Sequence, residues 1–105
     1  MIHVIAFITA QPGFREKVLA AFNANVPAVL AEDGCIEYGA TVDAKDLPPG
    51  RNSVGPDVFV VVEKWASLAA LQAHAVSPHM KAYGASVKDW VANRVIHVLE
   101  PVAKS

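Results

Sequence analysis

Several features are scarce or missing in this chain of 105 residues, and each absence excludes a class of protein. Cys35 is the only cysteine, which excludes an intramolecular disulfide and a cysteine-rich zinc site. The net charge is -1 and no run of five basic residues occurs, so we expect no binding to nucleic acid or to an anionic membrane. No apolar stretch approaches the roughly 18 residues that span a bilayer. Nucleophile motifs, phosphate-binding loops and flavin or nicotinamide fingerprints are also missing.

Apolar residues, by contrast, are abundant. They make up 53% of the chain, whereas charged residues make up 18%. The length predicts one domain spanning residues 1–105, and so much apolar surface in a small domain indicates that a partner buries part of it. The first residues are predicted to form a strand and not a signal peptide, and we expect a cytoplasmic protein.

The apolar pattern and the helix-start and helix-stop residues predict seven elements. The first helix starts after Pro12-Gly13, and Pro27 is expected to kink it or end its regular part. Ser67 is a predicted N-cap, and Ser77-Pro78 starts another helix with Met80, Tyr83, Val87, Trp90 and Val91 on one side. The predicted strands cover residues 2–9, 35–42, 58–65 and 94–100, and residues 43–57 form one long loop that is predicted to be a lid or an arm.

The order β-α-β-β-α-α-β predicts an α+β domain of the ferredoxin-like type, with its helices on one face of an antiparallel sheet. The first and third strands are apolar on both faces, since Ile5 and Phe7 alternate with the set that contains Val4 and Ile8. Helices cover only one face of such a sheet, so the second face would expose a large apolar patch. We therefore predict a homodimer joined through the sheet faces.

Two histidines stand out in the segment of residues 65–83. His74 borders the apolar stripe of its helix, and His79 lies in the first turn of the next helix, where the helix dipole favours a neutral ring. Each ring is a possible general base, because an imidazole titrates near neutrality. The alternatives are a hydrogen-bonded, half-buried His74 and a solvent-facing His79. A metal site is not predicted, because two histidines five residues apart do not lie on the same face of one helix and no third ligand occurs at a suitable spacing nearby.

The same segment carries residues of a quite specific pattern. Residues 26–35 with Tyr38, and residues 63–83 ending in Ser-Pro-His-Met-Lys-Ala-Tyr, resemble the antibiotic biosynthesis monooxygenase family, most closely its bacterial quinol monooxygenases. The resemblance covers nearly the whole chain. It implies a dimeric α+β barrel and an enzyme that oxidises a quinol or related small aromatic substrate with O2. It also implies that the reaction needs no cofactor.

The resemblance implies a substrate pocket between the sheet and the helices. His74 and His79 are then the candidate catalytic residues, and the candidate substrate-binding residues are Trp65, Tyr83, Met80, Leu71 and Tyr38. Two other functions stay open on this fold, an isomerase of a small metabolite and a protein that only binds a ligand. The isomerase would need a phosphate-binding cluster, for which only Arg51, Lys64, Lys81 and Arg94 are candidates.

Overall fold

The computed structural model describes residues 1–103. The chain forms four strands and three helices in the order predicted from the sequence. The elements are β1 (Ile2–Ala10), α1 (Arg15–Leu30), β2 (Cys35–Thr41), β3 (Val58–Trp65), α2 (Leu68–Ala75), α3 (Pro78–Val87) and β4 (Val91–Leu99).

The four strands form one sheet in the order β2-β3-β1-β4, with every neighbouring pair antiparallel. The two central strands are therefore β1 and β3, which are distant in sequence and connected through α1 and β2. This order and the helices packed on the sheet confirm the predicted ferredoxin-like α+β fold.

The two faces of the sheet differ in burial. Along β1 the even-numbered residues, from Ile2 to Ala10, point toward the helices and are buried. The odd-numbered residues lie on the outer face, where Phe7 packs edge-on against His97 and is 36% exposed. The core lies between the helix-facing side of the sheet and α1, whose Val18, Phe22 and Val29 are buried.

Helix ends follow the predicted signals, with two corrections. Ser67 caps α2, since its Oγ accepts a hydrogen bond from the Ala70 N–H at 3.1 Å. Pro27 does not end α1, which continues to Leu30. The prediction that Trp90 and Val91 extend α3 is wrong: α3 ends at Val87, because the Trp90 carbonyl accepts from the Gln11 N–H and Val91 begins β4.

Gly34 makes the sharp connection from α1 to β2. Its φ of +83° is the left-handed conformation predicted for this position. A Cβ at Gly34 would also lie 2.7 Å from the Ala70 Cβ, which is too close for two carbon atoms. The glycine therefore lets the end of α1 approach α2, and this approach brings Glu32 next to the α2–α3 corner.

Asp43 holds the two ends of the long loop between β2 and β3 together. The two Asp43 carboxylate oxygens accept hydrogen bonds from the Val54 and Gly55 N–H groups at 2.9 and 3.0 Å. These bonds hold the pKa of Asp43 below its ordinary value. The loop thus has a closed base.

Among residues 1–103, no helix is long and apolar enough to cross a membrane. The cytoplasmic location stays a prediction.

Candidate active site

Three polar side chains from three separate elements meet beneath the helices. Glu32 lies in the turn after α1, His74 in the last turn of α2, and His79 in the first turn of α3. One carboxylate oxygen, Glu32 Oε2, is 2.9 Å from His74 Nδ1 and 2.6 Å from His79 Nε2. The Glu32 carboxylate therefore joins two histidines that are five residues apart in sequence.

The α2–α3 corner explains how the two rings converge. The Ser77 Oγ donates a hydrogen bond to the His74 carbonyl at 2.8 Å, which turns the chain sharply at the end of α2. Pro78 then begins α3 with its ring at a position that needs no backbone donor. Ser77 occupies the N-cap position of α3, but its side chain makes no capping hydrogen bond to that helix, because its hydroxyl is used at the corner.

The carboxylate also fixes the orientation of His74. An ionised carboxylate only accepts hydrogen bonds, so a neutral His74 ring that donates its Nδ1–H to Glu32 has Nε2 as its acceptor nitrogen. The ring is 4% exposed and packs between two aromatic rings. Its centroid is 4.6 Å from that of Trp65 and 5.4 Å from that of Tyr38. His74 is therefore a buried histidine whose two nitrogens have different roles.

A second carboxylate, Glu63, lies on the helix-facing side of β3. Its Oε1 accepts a hydrogen bond from the Trp65 Nε1–H at 2.9 Å, and the residue is 8% exposed. Burial raises the pKa of Glu63, while the Trp65 N–H and His74 lower it and Glu32 raises it. A buried carboxyl with a raised pKa can hold or accept a proton closer to neutral pH than an ordinary one.

A cavity of about 100 Å³ lies between the sheet and the helices next to these groups. Its polar wall is formed by Tyr38, Glu63, Tyr83 and Arg94, and Phe22 and Met80 belong to its apolar wall. Burial raises the pKa of both phenols, with the Glu63 charge adding to the effect at Tyr38 and the Arg94 charge opposing it at Tyr83. Both tyrosines are therefore hydrogen-bond donors at neutral pH.

A second, more open hollow of about 300 Å³ lies between α1 and α3. His79, Asn25 and Tyr83 are on its wall. Tyr83 thus borders both spaces, and His79 contacts the outer one while its Nε2 binds Glu32.

The structure brings most of the predicted site residues together, in different roles. Tyr38, Met80 and Tyr83 line the cavity, whereas His74 lies behind Tyr38 and does not form the cavity wall. Trp65 is fully buried behind His74 and Glu63. Leu71 is packed against the core from α2 and borders neither space.

The two carboxylates, Glu32 and Glu63, are not among the site residues predicted from the sequence. Glu63 could have been found from the sequence, since it lies at every-second-residue spacing with Phe59, Val61 and Trp65 on the buried face of β3. A charge at such a position needs a partner and indicates function or a buried network. Glu32 has no comparable signal, because its contact with His74 spans 42 residues and depends on the tertiary fold.

The structure belongs to the class of small α+β domains with a ferredoxin-like sheet, and its partly polar cavity between sheet and helices is a candidate small-molecule site. Within that class, the family model for antibiotic biosynthesis monooxygenase matches residues 1–86. The chain is 43% identical over 103 residues to "Probable quinol monooxygenase YgiN" of Escherichia coli, covering 96% of this chain and 98% of that protein. The protein of the same name from Shigella flexneri matches with the same identity and coverage.

Solved structures agree with this similarity. PA3566 from Pseudomonas aeruginosa is 28% identical and superposes with a TM-score of 0.79, covering 97% of this chain and 94% of that chain. Rv0793 from Mycobacterium tuberculosis is also 28% identical, with the same TM-score and coverages of 99% and 97%. The chain belongs to the antibiotic biosynthesis monooxygenase family, and it is a monooxygenase, as the sequence resemblance implied.

Proposed function

We propose that this chain is a cofactor-independent monooxygenase that oxidises a quinol or related small aromatic substrate with O2. The observation that carries the proposal is the cavity between sheet and helices, which combines apolar walls with two phenols, a carboxylate and Arg94. The name of the Escherichia coli relative supports a quinol as the substrate class.

A quinol supplies the electrons that such a reaction needs. Insertion of one oxygen atom and oxidation of the ring convert a quinol and O2 into a hydroxyquinone and water, so no external reductant is consumed. The quinol reacts with O2 once it has lost a proton, and the anion is most reactive in a pocket that excludes water. The protein's task is therefore to bind an aromatic ring, accept a proton and stabilise an anion.

Each task has a group near the cavity. Met80 and Phe22 offer apolar contact to a ring, and Tyr38, Tyr83 and Arg94 can donate hydrogen bonds to a substrate oxygen. Trp65 and Leu71 support the walls from behind. The proton acceptor is proposed to be His74 or His79, as the sequence predicts, with Glu32 holding both rings.

Glu63 is a second candidate for the proton acceptor. Glu63 lies on the cavity wall, whereas His74 does not line the cavity and contacts the ring of Tyr38, which does. The raised pKa of Glu63 makes it a stronger base than an ordinary carboxylate.

The proposed active form is a homodimer joined through the sheets. On the outer face of the sheet, Phe7 of β1 and its β4 neighbour Val95 are 36% and 43% exposed. A second sheet packed on this face would remove that apolar surface from water.

An oxygen-electrode screen of quinols and anthrones tests the proposed activity. We expect O2 consumption above the uncatalysed rate, with no cofactor absorbance and no loss after exhaustive chelation. Activity that appears only with added flavin or iron would contradict the cofactor-free mechanism. Binding of the quinol at background O2 consumption would instead favour a ligand-binding protein, and a product isomeric with the substrate would favour an isomerase.

Three substitutions distinguish the candidate bases. His74→Ala, His79→Ala and Glu63→Gln are compared with wild type in kcat at saturating quinol, after circular dichroism has confirmed the fold. Loss of the true base is expected to lower kcat by about 10²–10⁴-fold. Glu37→Gln is the control, because this β2 carboxylate pairs with Lys64 away from the cavity. If all three variants stay within about threefold of wild type, none of these groups is the base.

A further inference from the structure

The Glu32–His74–His79 cluster has the composition and spacing of a metal site. Its carboxylate oxygen and two ring nitrogens all lie within 4.8 Å of one another. An ion about 2.1 Å from each ligand holds neighbouring ligand atoms about 3.0–3.4 Å apart in octahedral or tetrahedral geometry. The two nitrogen–oxygen separations are 2.9 and 2.6 Å, slightly below that range, and the two ring nitrogens lie within 4.8 Å of each other. Each ligand therefore needs to move by less than about 1 Å to reach such a geometry.

The donor types narrow the class of ion. Two imidazoles and one carboxylate are a typical set for Zn²⁺ and other divalent first-row transition ions, whereas Ca²⁺ and Mg²⁺ prefer oxygen ligands alone. Three protein ligands also leave at least one coordination position for water or another small ligand. A metal site was not predicted from the sequence, because no third ligand lies near the two histidines along the chain. The fold brings Glu32 to that position.

Burial and charge favour a cation at this place. The side chains of His74 and Glu32 are 5% and 14% exposed, which protects the ligands from water, while His79 at 29% gives access from the hollow between α1 and α3. With neutral imidazoles the cluster carries the negative charge of Glu32, and Glu63 lies near enough for the two carboxyls to interact. A divalent ion would neutralise charge that is held in a poorly hydrated place.

We propose that Glu32, His74 and His79 bind a divalent first-row transition ion, which takes the place of the hydrogen bonds between the two rings and the carboxylate. The proposal goes beyond quinol oxidation and does not depend on the substrate. It has one consequence for the site. A metal on His74 Nδ1 leaves the ring proton on Nε2, so metal binding and proton acceptance at Nε2 exclude each other.

Zinc titration of the intact protein tests the proposal. After dialysis against a chelator and then into metal-free buffer, ZnCl₂ is added in a calorimeter, and the histidine ring signals are followed by ¹⁵N-¹H NMR. We expect one ion per chain, with a micromolar or tighter dissociation constant. The signals of two of the four histidines should shift, with the His74 proton moving from Nδ1 to Nε2. No binding at about 100 μM zinc would overturn the proposal.

Three variants locate the ion. Glu32→Gln and His79→Gln each remove one ligand with little change of volume, and zinc affinity should fall at least about tenfold, since even outer-shell substitutions can cost that much. Asp33→Asn is the matched control, because it removes the same charge from an exposed side chain beside Glu32. Equal loss in Asp33→Asn, or shifts only at His3 and His97, would show adventitious binding elsewhere. His79 is partly exposed, so its variant keeps the test valid if Glu32→Gln unfolds.

Discussion

Two neighbours of the central strand β1 differ in what covers them. Both β3 and β4 are rich in valine and pair with β1 along its length. On the helix-facing side of β3, all four residues from Phe59 to Trp65 are buried, including the charged Glu63. On the same side of β4, Ile96 and Val98 are 59% and 51% exposed. The helices therefore cover β3, including its charged Glu63, and leave apolar residues of β4 open to water.

The difference shows that an apolar strand pattern indicates burial without indicating by what. In β3 the cover comes from the chain itself, which can place Trp65 and His74 beside Glu63 with defined hydrogen bonds. In β4 the outer face is also open, since Val95 beside Phe7 is 43% exposed. Apolar surface on both sides of an edge strand is costly in water, and a second copy of the chain is the proposed cover.

The largest effect is expected when a charge is introduced on the open strand β4, and the quantity affected is the association of the proposed dimer. Val95→Glu places a carboxylate on the outer face of the sheet beside Phe7, where the proposed dimer buries it twice by symmetry. An unpaired buried charge costs several kcal/mol, so we expect the dimer to weaken by more than about 100-fold. Sedimentation equilibrium at micromolar concentration should give twice the chain mass for wild type and the mass of one chain for the variant.

A matched substitution separates the interface from a general effect of charge. Leu68 is 50% exposed and lies in the first turn of α2. A glutamate at this position interacts favourably with the helix dipole. Leu68→Glu should therefore leave the dimer intact. A monomeric wild-type protein, or equal weakening by both variants, would contradict a dimer joined through the sheet.

A smaller effect, on the free energy of unfolding, is expected from a substitution in the covered strand β3. Trp65→Phe removes the indole N–H that satisfies Glu63 and leaves a buried carboxylate oxygen without this donor. Such a loss costs about 1–3 kcal/mol of the free energy of unfolding, in addition to the smaller ring volume. Urea unfolding followed by circular dichroism measures the change.

Trp90→Phe is the control for the change of ring size. Trp90 is partly buried, packs against Phe14 and directly precedes β4, at the opposite end of β1 from the residue that pairs with Glu63. If Trp90→Phe costs as much as Trp65→Phe, the hydrogen bond to Glu63 contributes little. In that case replacing a buried tryptophan would cost no more free energy of unfolding in the covered strand β3 than elsewhere in the core.

Much of the fold was predictable because its signals are local. Gly34 and Ser67 each mark a boundary through their own backbone or side-chain chemistry, and the bounds predicted for β3 are those observed. The error at Val91 arose because an apolar residue at helical spacing also fits a strand. Only its pairing with Ala10 decides between the two.

The site was predictable only in part, because some of its residues carry a local signal in the sequence and others do not. His74 and His79 stand out as polar residues on or beside apolar stripes, and the resemblance to a family marks the segment that contains them. The carboxylate that joins them is 42 and 47 residues away, so no spacing rule finds it. The exclusion of a third ligand considered only neighbours in sequence, whereas Gly34 permits the close approach that brings Glu32 to the rings.

The smallest expected effect concerns the pH dependence of the covered strand. Burial raises the pKa of Glu63 above its ordinary value of 4.5, so the folded protein holds this proton more tightly than the unfolded chain does. The stability linked to that proton is fully present below the unfolded pKa. It is lost as the pH rises through the folded pKa, because the charged carboxylate is poorly solvated in the fold. Glu63→Gln cannot ionise and should lack this loss.

Urea unfolding at several pH values from 4 to 8 measures this difference. The free energy of unfolding of wild type minus that of Glu63→Gln should fall with rising pH and then level off. Asp43, whose pKa is lowered by the Val54 and Gly55 N–H groups, contributes the opposite slope at lower pH, but it is present in both proteins and cancels. Glu37→Gln serves as the exposed control. A difference that rises with pH would mean that the Trp65 hydrogen bond and His74 outweigh burial at Glu63, so that the covered strand stabilises its carboxylate as an anion.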